Sequence, residues 1–138
     1  MNVKVTLKTE ITDQSFREQM DVVEKGEFYD NDDTHVLIFN EHDEDGNAIR
    51  NMITISQDKV VVKRKGKVKM NQIFREDRIT ESTYYHPYGT MRMETETKDI
   101  EFSEPVKGLL GQVDISYLLS INEQEPQSHR LTLTYERE

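Results

Sequence analysis

An all-β fold, a single closed antiparallel up-and-down β-barrel of about eight to ten strands in one domain over residues 1–138, is what this sequence predicts. Three observations carry the prediction. Valine and isoleucine together number 21 and threonine adds 12, against a single alanine, Ala48. β-Branched side chains are stiff at the first torsion and suit a pleated surface, whereas alanine is the best helix former. Apolar residues alternate with polar ones from end to end. The segments between the alternating runs are short and rich in turn residues.

Taken in order, Val3, Val5 and Leu7 alternate with Lys4, Thr6 and Lys8. Met20, Val22, Gly26 and Phe28 share one parity of the next run, and His35–Phe39 is apolar on both faces. Asp43-Glu44-Asp45-Gly46-Asn47 reads as a hairpin in which Gly46 and Asn47 tolerate positive φ. Ile49, Ile53 and Ile55 form a stripe; Val60 and Val62 enter a turn at Gly66, and Val68, Met70 and Phe74 leave it. Residues 79–86 are rich in threonine and tyrosine, and His86-Pro87-Tyr88-Gly89 breaks the ladder, because proline has no amide donor. Met91, Met93, Thr95 and Thr97 resume it, and a separate strand is expected near 99–103. Val113, Ile115, Tyr117, Leu119 and Ile121 make the clearest stripe; Leu131, Leu133 and Tyr135 close the chain. Two places could hold a short helix: Asp13 to Gln19, with Asp13 or Ser15 as N-cap, and Glu104 to Leu110. A two-sheet sandwich is the alternative arrangement, but sandwiches need longer crossing connections, and a barrel removes open sheet edges.

The order and spacing of several segments resemble a known family. These are Val22–Tyr29, the Val60–Gly66 hairpin arm, Gln72-Ile73-Phe74, Thr83–Gly89 and Tyr117-Leu118-Leu119. Together they look like the YwiB-like family of uncharacterised bacterial proteins. The resemblance implies a lipocalin-like, calycin-type barrel. It implies no activity and offers no functional residues to carry over.

Composition removes several classes of function. With no cysteine there is no disulfide, thiolate metal site or cysteine nucleophile, which fits a reducing cytoplasm. Charges interrupt Met1–Lys8 at once, so no signal peptide is expected, and no apolar run approaches the ~20 residues of a membrane helix. A net charge of −9 argues against general nucleic-acid binding. The charge is uneven, however. Residues 59–78 carry eight cationic and two anionic side chains, a net +6, which leaves −15 on the rest.

The candidate functional residues are polar side chains that interrupt apolar stripes. Glu24, Asn51 and Arg64 all fall on the apolar parity of their strands. A barrel interior is either filled by side chains or holds one small ligand. Two readings follow. In one, Glu24 and Arg64 pair with each other or reach the wet rim, since unpaired buried charge is costly. In the other, Arg64 and Asn51, with nearby tyrosines, hold an anionic or polar head group. Tyr85 and Tyr88, in the most aromatic segment, are candidates for the barrel mouth; an ordinary packed turn is the competing account.

Lys63, Lys65, Lys67 and Lys69 share the outward parity of the basic hairpin. They could bind a protein or polyanion, or they could simply complement Glu94 and Glu96 and protect an edge. Catalysis finds little support: His35, His42, His86 and His129 are scattered, and no nucleophile elbow or phosphate loop is present. The Asp43 loop resembles a calcium loop superficially, but Gly46 and Thr54 stand at the wrong spacings. The expectation is a non-enzymatic cytoplasmic barrel with no metal or cofactor. It would hold a small molecule in its interior or mouth, or else act through the basic hairpin. No feature specifies an oligomeric state.

Overall fold

Wherever apolar side chains alternate, the backbone is extended. The computed structural model describes residues 1–13, 17–103 and 109–138. Within them are ten strands: β1 (Asn2–Thr12), β2 (Arg17–Asn31), β3 (Thr34–His42), β4 (Ala48–Ile55), β5 (Val60–Lys65), β6 (Lys69–Phe74), β7 (Arg78–His86), β8 (Gly89–Ser103), β9 (Leu109–Ile121) and β10 (Gln127–Arg137). Each pairs antiparallel with its neighbours in sequence, and β1 closes the ring on β10 with Val5 opposite Tyr135. The closed up-and-down barrel is therefore as expected, and the two-sheet alternative does not hold.

Other expectations change. Residues Arg17–Gln19 are not helical; they pair in β2 with Glu10–Thr12, extending the β1–β2 hairpin. The remaining positions of that expected helix, 14–16, lie outside the described residues, as do 104–108 of the second; Leu109 and Leu110 begin β9. The run near 99–103 is no separate strand. It continues β8 past a bulge between Thr97 and Asp99, where the inward parity passes from Met93, Thr95 and Thr97 to Ile100. In the β3–β4 turn Gly46 alone takes positive φ (81°), while the Asp43 carboxylate accepts hydrogen bonds from the backbone N–H of Asp45 (3.0 Å) and Asn47 (2.8 Å).

Register runs unbroken through Gly26, and Gly66 lies in the β5–β6 turn, so neither reverses the parity of Glu24 or Arg64. Gly26 is needed for close approach: a β-carbon there would stand 2.6 Å from the Ile38 carbonyl oxygen.

Inward residues divide the interior into two halves. Val3, Phe28, Leu37, Ile55, Val60, Phe74, Val113 and Tyr135 pack the half beside the chain termini and the β2–β3 turn. In the other half the inward positions pass to longer and more polar side chains. A ring of ten strands is wider than the eight that side chains just fill, and the packing stops short of the second mouth. One seam is weak as well: the β6–β7 ladder holds only Lys69–Tyr85 and Met70–Tyr84. Among the described residues no helix is long and apolar enough to cross a membrane.

Candidate functional site

The unfilled half is a cavity of about 490 Å³ that opens at the end carrying the β3–β4, β5–β6, β7–β8 and β9–β10 turns. Most of its wall is apolar: Leu7, Val22, Val62, Leu119, Ile121 and Leu131, together with four methionines, Met20, Met70, Met91 and Met93. Methionine is flexible and polarizable, and it adapts its surface to what lies against it. Such a wall with a few placed polar groups is the usual make-up of a small-molecule site.

The polar groups arise from strand register. Asn51, Arg64, Met70, Tyr84 and Met91 are successive partners across β4 to β8, so they form one inward row around the mouth. Asn51 is 1% exposed and donates from Nδ2 to the Ile49 carbonyl at 3.3 Å. Arg64 donates from Nη2 to Glu41 Oε2 at 2.9 Å, with the two side chains 23% and 18% exposed. Its Nε is sealed from solvent without a partner among the described residues. Gln72 donates from Nε2 to the Thr95 hydroxyl at 3.1 Å. On the opposite wall His129 is buried beside Tyr117, with ring centroids 5.1 Å apart. Among the described residues neither His129 nitrogen has a hydrogen-bond partner, and burial pushes its pKa down, which favours the neutral ring. Burial also pushes the Tyr117 hydroxyl well above the usual phenol range.

Of the residues singled out in the sequence, Asn51 and Arg64 line this cavity. The expected Glu24–Arg64 pair is not formed. Glu24 faces inward and is half-buried, but it lies beyond the end of the β2–β3 ladder, which stops at Gly26–Phe39, and Glu41 takes Arg64 instead. Glu24 does not line the cavity. Tyr85 is half-exposed on the outer face opposite Lys69, and Tyr88 projects from the turn, 95% exposed. Alternation turns Tyr84 and His86 inward in their place, stacked at 6.1 Å. Glu41, Gln72 and His129 were not singled out, yet each continues an apolar parity: Glu41 that of Leu37 and Phe39, Gln72 that of Met70 and Phe74, His129 that of Leu131 and Leu133.

Lys63, Lys65, Lys67 and Lys69 are all exposed. Glu94 and Glu96 do not complement them: they belong to β8, which is adjacent to β7 and β9, and Glu96 pairs with Lys98 at 2.8 Å. Lys67 instead meets Asp45 at 3.8 Å. Because the ring is closed, these lysines protect no edge. A smaller hollow of about 330 Å³ lies at the opposite end, where the Tyr135 hydroxyl is 2.8 Å from His35 Nδ1.

Three comparisons with known proteins agree. A family model described as a domain of unknown function, DUF1934, matches residues 5–133. The uncharacterized beta-barrel protein YwiB of Bacillus subtilis (strain 168) is 26% identical over 135 residues, covering 97% of this chain and 92% of the relative. The crystal structure of the ywiB protein from Bacillus subtilis superposes with a TM-score of 0.85, covering 99% of this chain and 92% of that one.

Proposed function

We propose, from the premise that this chain belongs to the DUF1934 family, that it is a non-enzymatic, lipocalin-like binding protein of the cytoplasm that holds a small molecule in the barrel mouth. The observation that carries the reading is the cavity of about 490 Å³, apolar over most of its wall and edged by Asn51, Arg64 and Glu41. A protein that needed only stability would gain by covering this apolar wall, since apolar surface left facing water forgoes about 25 cal/mol per Å². The polar groups favour binding over catalysis. Among the described residues neither His129 nitrogen is engaged by a carboxylate or hydroxyl, so this histidine is not oriented as a base towards a nucleophile in the cavity.

The test is a thermal-shift screen with fatty acids and their neutral analogues, haem and flavins. A ligand at about 100 times its Kd adds about 2.7 kcal/mol to stability by mass action. A shift that weakens or disappears in Leu131→Trp, whose indole takes up part of the cavity, supports the reading. A screen without a shift, or one whose shift is undiminished in Leu131→Trp, removes it.

A second reading rests on a separate observation. Lys63, Lys65 and Lys69 have no ion-pair partner among the described residues and border an outer groove with Tyr85. A polyanion or an acidic protein would suit that face. Retention on a heparin column that is lost when Lys63, Lys65, Lys67 and Lys69 become glutamine supports it; equal elution of the two proteins rejects it.

A further inference from the structure

The charges inside the cavity narrow what it can accept. Arg64 is the cation of the mouth, and Glu41 already occupies it at 2.9 Å. Both line the cavity, so this pole has no net charge. β5 and β10 are five strands apart in either direction around the ring, which puts His129 on the wall facing Arg64. That wall adds no charge either, because burial keeps His129 neutral.

A carboxylate head group entering here would meet the carboxylate of Glu41 beside the guanidinium it sought. In a space walled by leucine, valine and methionine, that like-charge repulsion is weakly screened. To use Arg64 it would have to expel Glu41 and leave it stranded in a half-buried site. An ammonium head group faces the mirror problem at Arg64.

The pair nevertheless offers both kinds of hydrogen bond in one place. Guanidinium N–H groups of Arg64 donate, and the oxygens of Glu41 accept. Asn51, adjacent to Arg64 in register, uses its amide N–H₂ on Ile49 and has no partner at its Oδ1 among the described residues, which adds a second acceptor. The complementary chemical group carries an acceptor and a donor side by side without charge, as a carboxamide does.

We infer that the cavity selects an uncharged, largely apolar molecule whose polar end pairs an acceptor with a donor, a fatty carboxamide being the simplest case, and that Glu41 is the residue that excludes the matching carboxylate. The inference rests on the reading of the cavity as a binding site and assigns that site a ligand class. Arg64 receives the carbonyl of the head group, Glu41 and Asn51 receive its N–H₂, and the methionines adapt to the chain.

The experiment measures displacement of the neutral fluorophore Nile red by lauramide and by laurate at neutral pH, on the wild-type protein and on Glu41→Gln. Lauramide is expected to bind at least about tenfold more tightly than laurate to the wild type, a difference of about 1.4 kcal/mol. Glu41→Gln leaves the guanidinium charge uncompensated and is expected to reduce or invert that ratio. Equal or tighter binding of laurate by the wild type overturns the inference and leaves the binding reading standing. Failure of both compounds to displace the dye overturns the inference, and the thermal-shift screen then decides the binding reading. An unchanged ratio in Glu41→Gln overturns the role of Glu41, and if that variant does not fold, the wild-type ratio decides alone.

Discussion

Arg64 on β5 reaches across the whole width of β4 to ion-pair with Glu41 on β3, Nη2 to Oε2, at 2.9 Å. Asn51, the β4 partner of Arg64, lies beneath the bridge. Three strands at the mouth are thus fastened by one contact that the backbone ladder does not supply.

The bridge predicts a coupling energy. Arg64→Met leaves Glu41 half-buried without its cation and is expected to cost about 2 kcal/mol, below the ~3–5 kcal/mol of a fully sealed pair. Glu41→Leu should cost a similar amount, and the double variant should be more stable than the sum of the two predicts. Combining Arg64→Met with Glu24→Leu should be additive, because Glu24 shares no partner with Arg64. Urea unfolding of the wild type, the three single variants and the two double variants measures all of this. Additivity for Arg64 and Glu41, or coupling to Glu24, contradicts the structure.

His129 predicts an acid dependence. Its pKa is lowered by burial, so below the unfolded-state value of about 6.5 the unfolded chain binds a proton that the folded one refuses. The contribution of neutral His129 is complete above that pH and is lost as pH falls towards the folded-state pKa. His129→Leu cannot titrate. The stability of the wild type relative to this variant should therefore decline on acidification below about pH 6.5, whatever the many carboxylates do in both. Parallel curves would mean that His129 is solvated.

A pair of threonines on β8 should respond in opposite directions to one substitution. Thr97 is fully buried and its hydroxyl has no partner among the described residues, whereas Thr95, equally buried, accepts from Gln72 at 3.1 Å. Thr97→Val removes an unsatisfied group at nearly constant volume and should stabilise by about 1 kcal/mol. Thr95→Val strands the Gln72 amide and should destabilise by about 1 kcal/mol. Two shifts of the same sign in thermal melts would refute this.

How far the sequence reaches is clear from these residues. Period-two alternation specified the strands and the inward parity, because a barrel with one buried face cannot slip by one residue. Parity placed Asn51 and Arg64 inside, and it placed Glu24 inside as well. It is blind to position around the ring and along the axis, and so it paired Arg64 with Glu24 rather than Glu41. The row from Asn51 to Met91 exists only through the registers of five strands. Tyr84 was obscured because β7 half-buries threonine, serine and tyrosine and leaves Ile79 exposed, the reverse of an apolar stripe. The bulge after Thr97 left no sequence signal except that the alternating parity changes there.

Gly111 makes a final, independent prediction at the closed end of the barrel. It is the ladder partner of Tyr135, and the Tyr135 ring lies directly over it, with the hydroxyl 2.8 Å from His35 Nδ1. A β-carbon on Gly111 would overlap the hydroxyl and the ring carbons, and moving the ring aside would give up its hydroxyl contact with His35 and its packing on Phe28, with centroids 5.5 Å apart. Gly111→Ala should therefore destabilise by about 2 kcal/mol, the order of an overpacked core, although alanine is otherwise the milder residue in a strand. Tyr135→Ala should also cost about 3–5 kcal/mol by opening a cavity. With the ring gone the methyl of Gly111→Ala has space, so the double variant should be no less stable than Tyr135→Ala alone. Chemical denaturation of the three proteins separates this from a backbone effect: if Gly111→Ala costs the same with and without the Tyr135 ring, the penalty comes from the glycine's own conformation and not from the tyrosine above it.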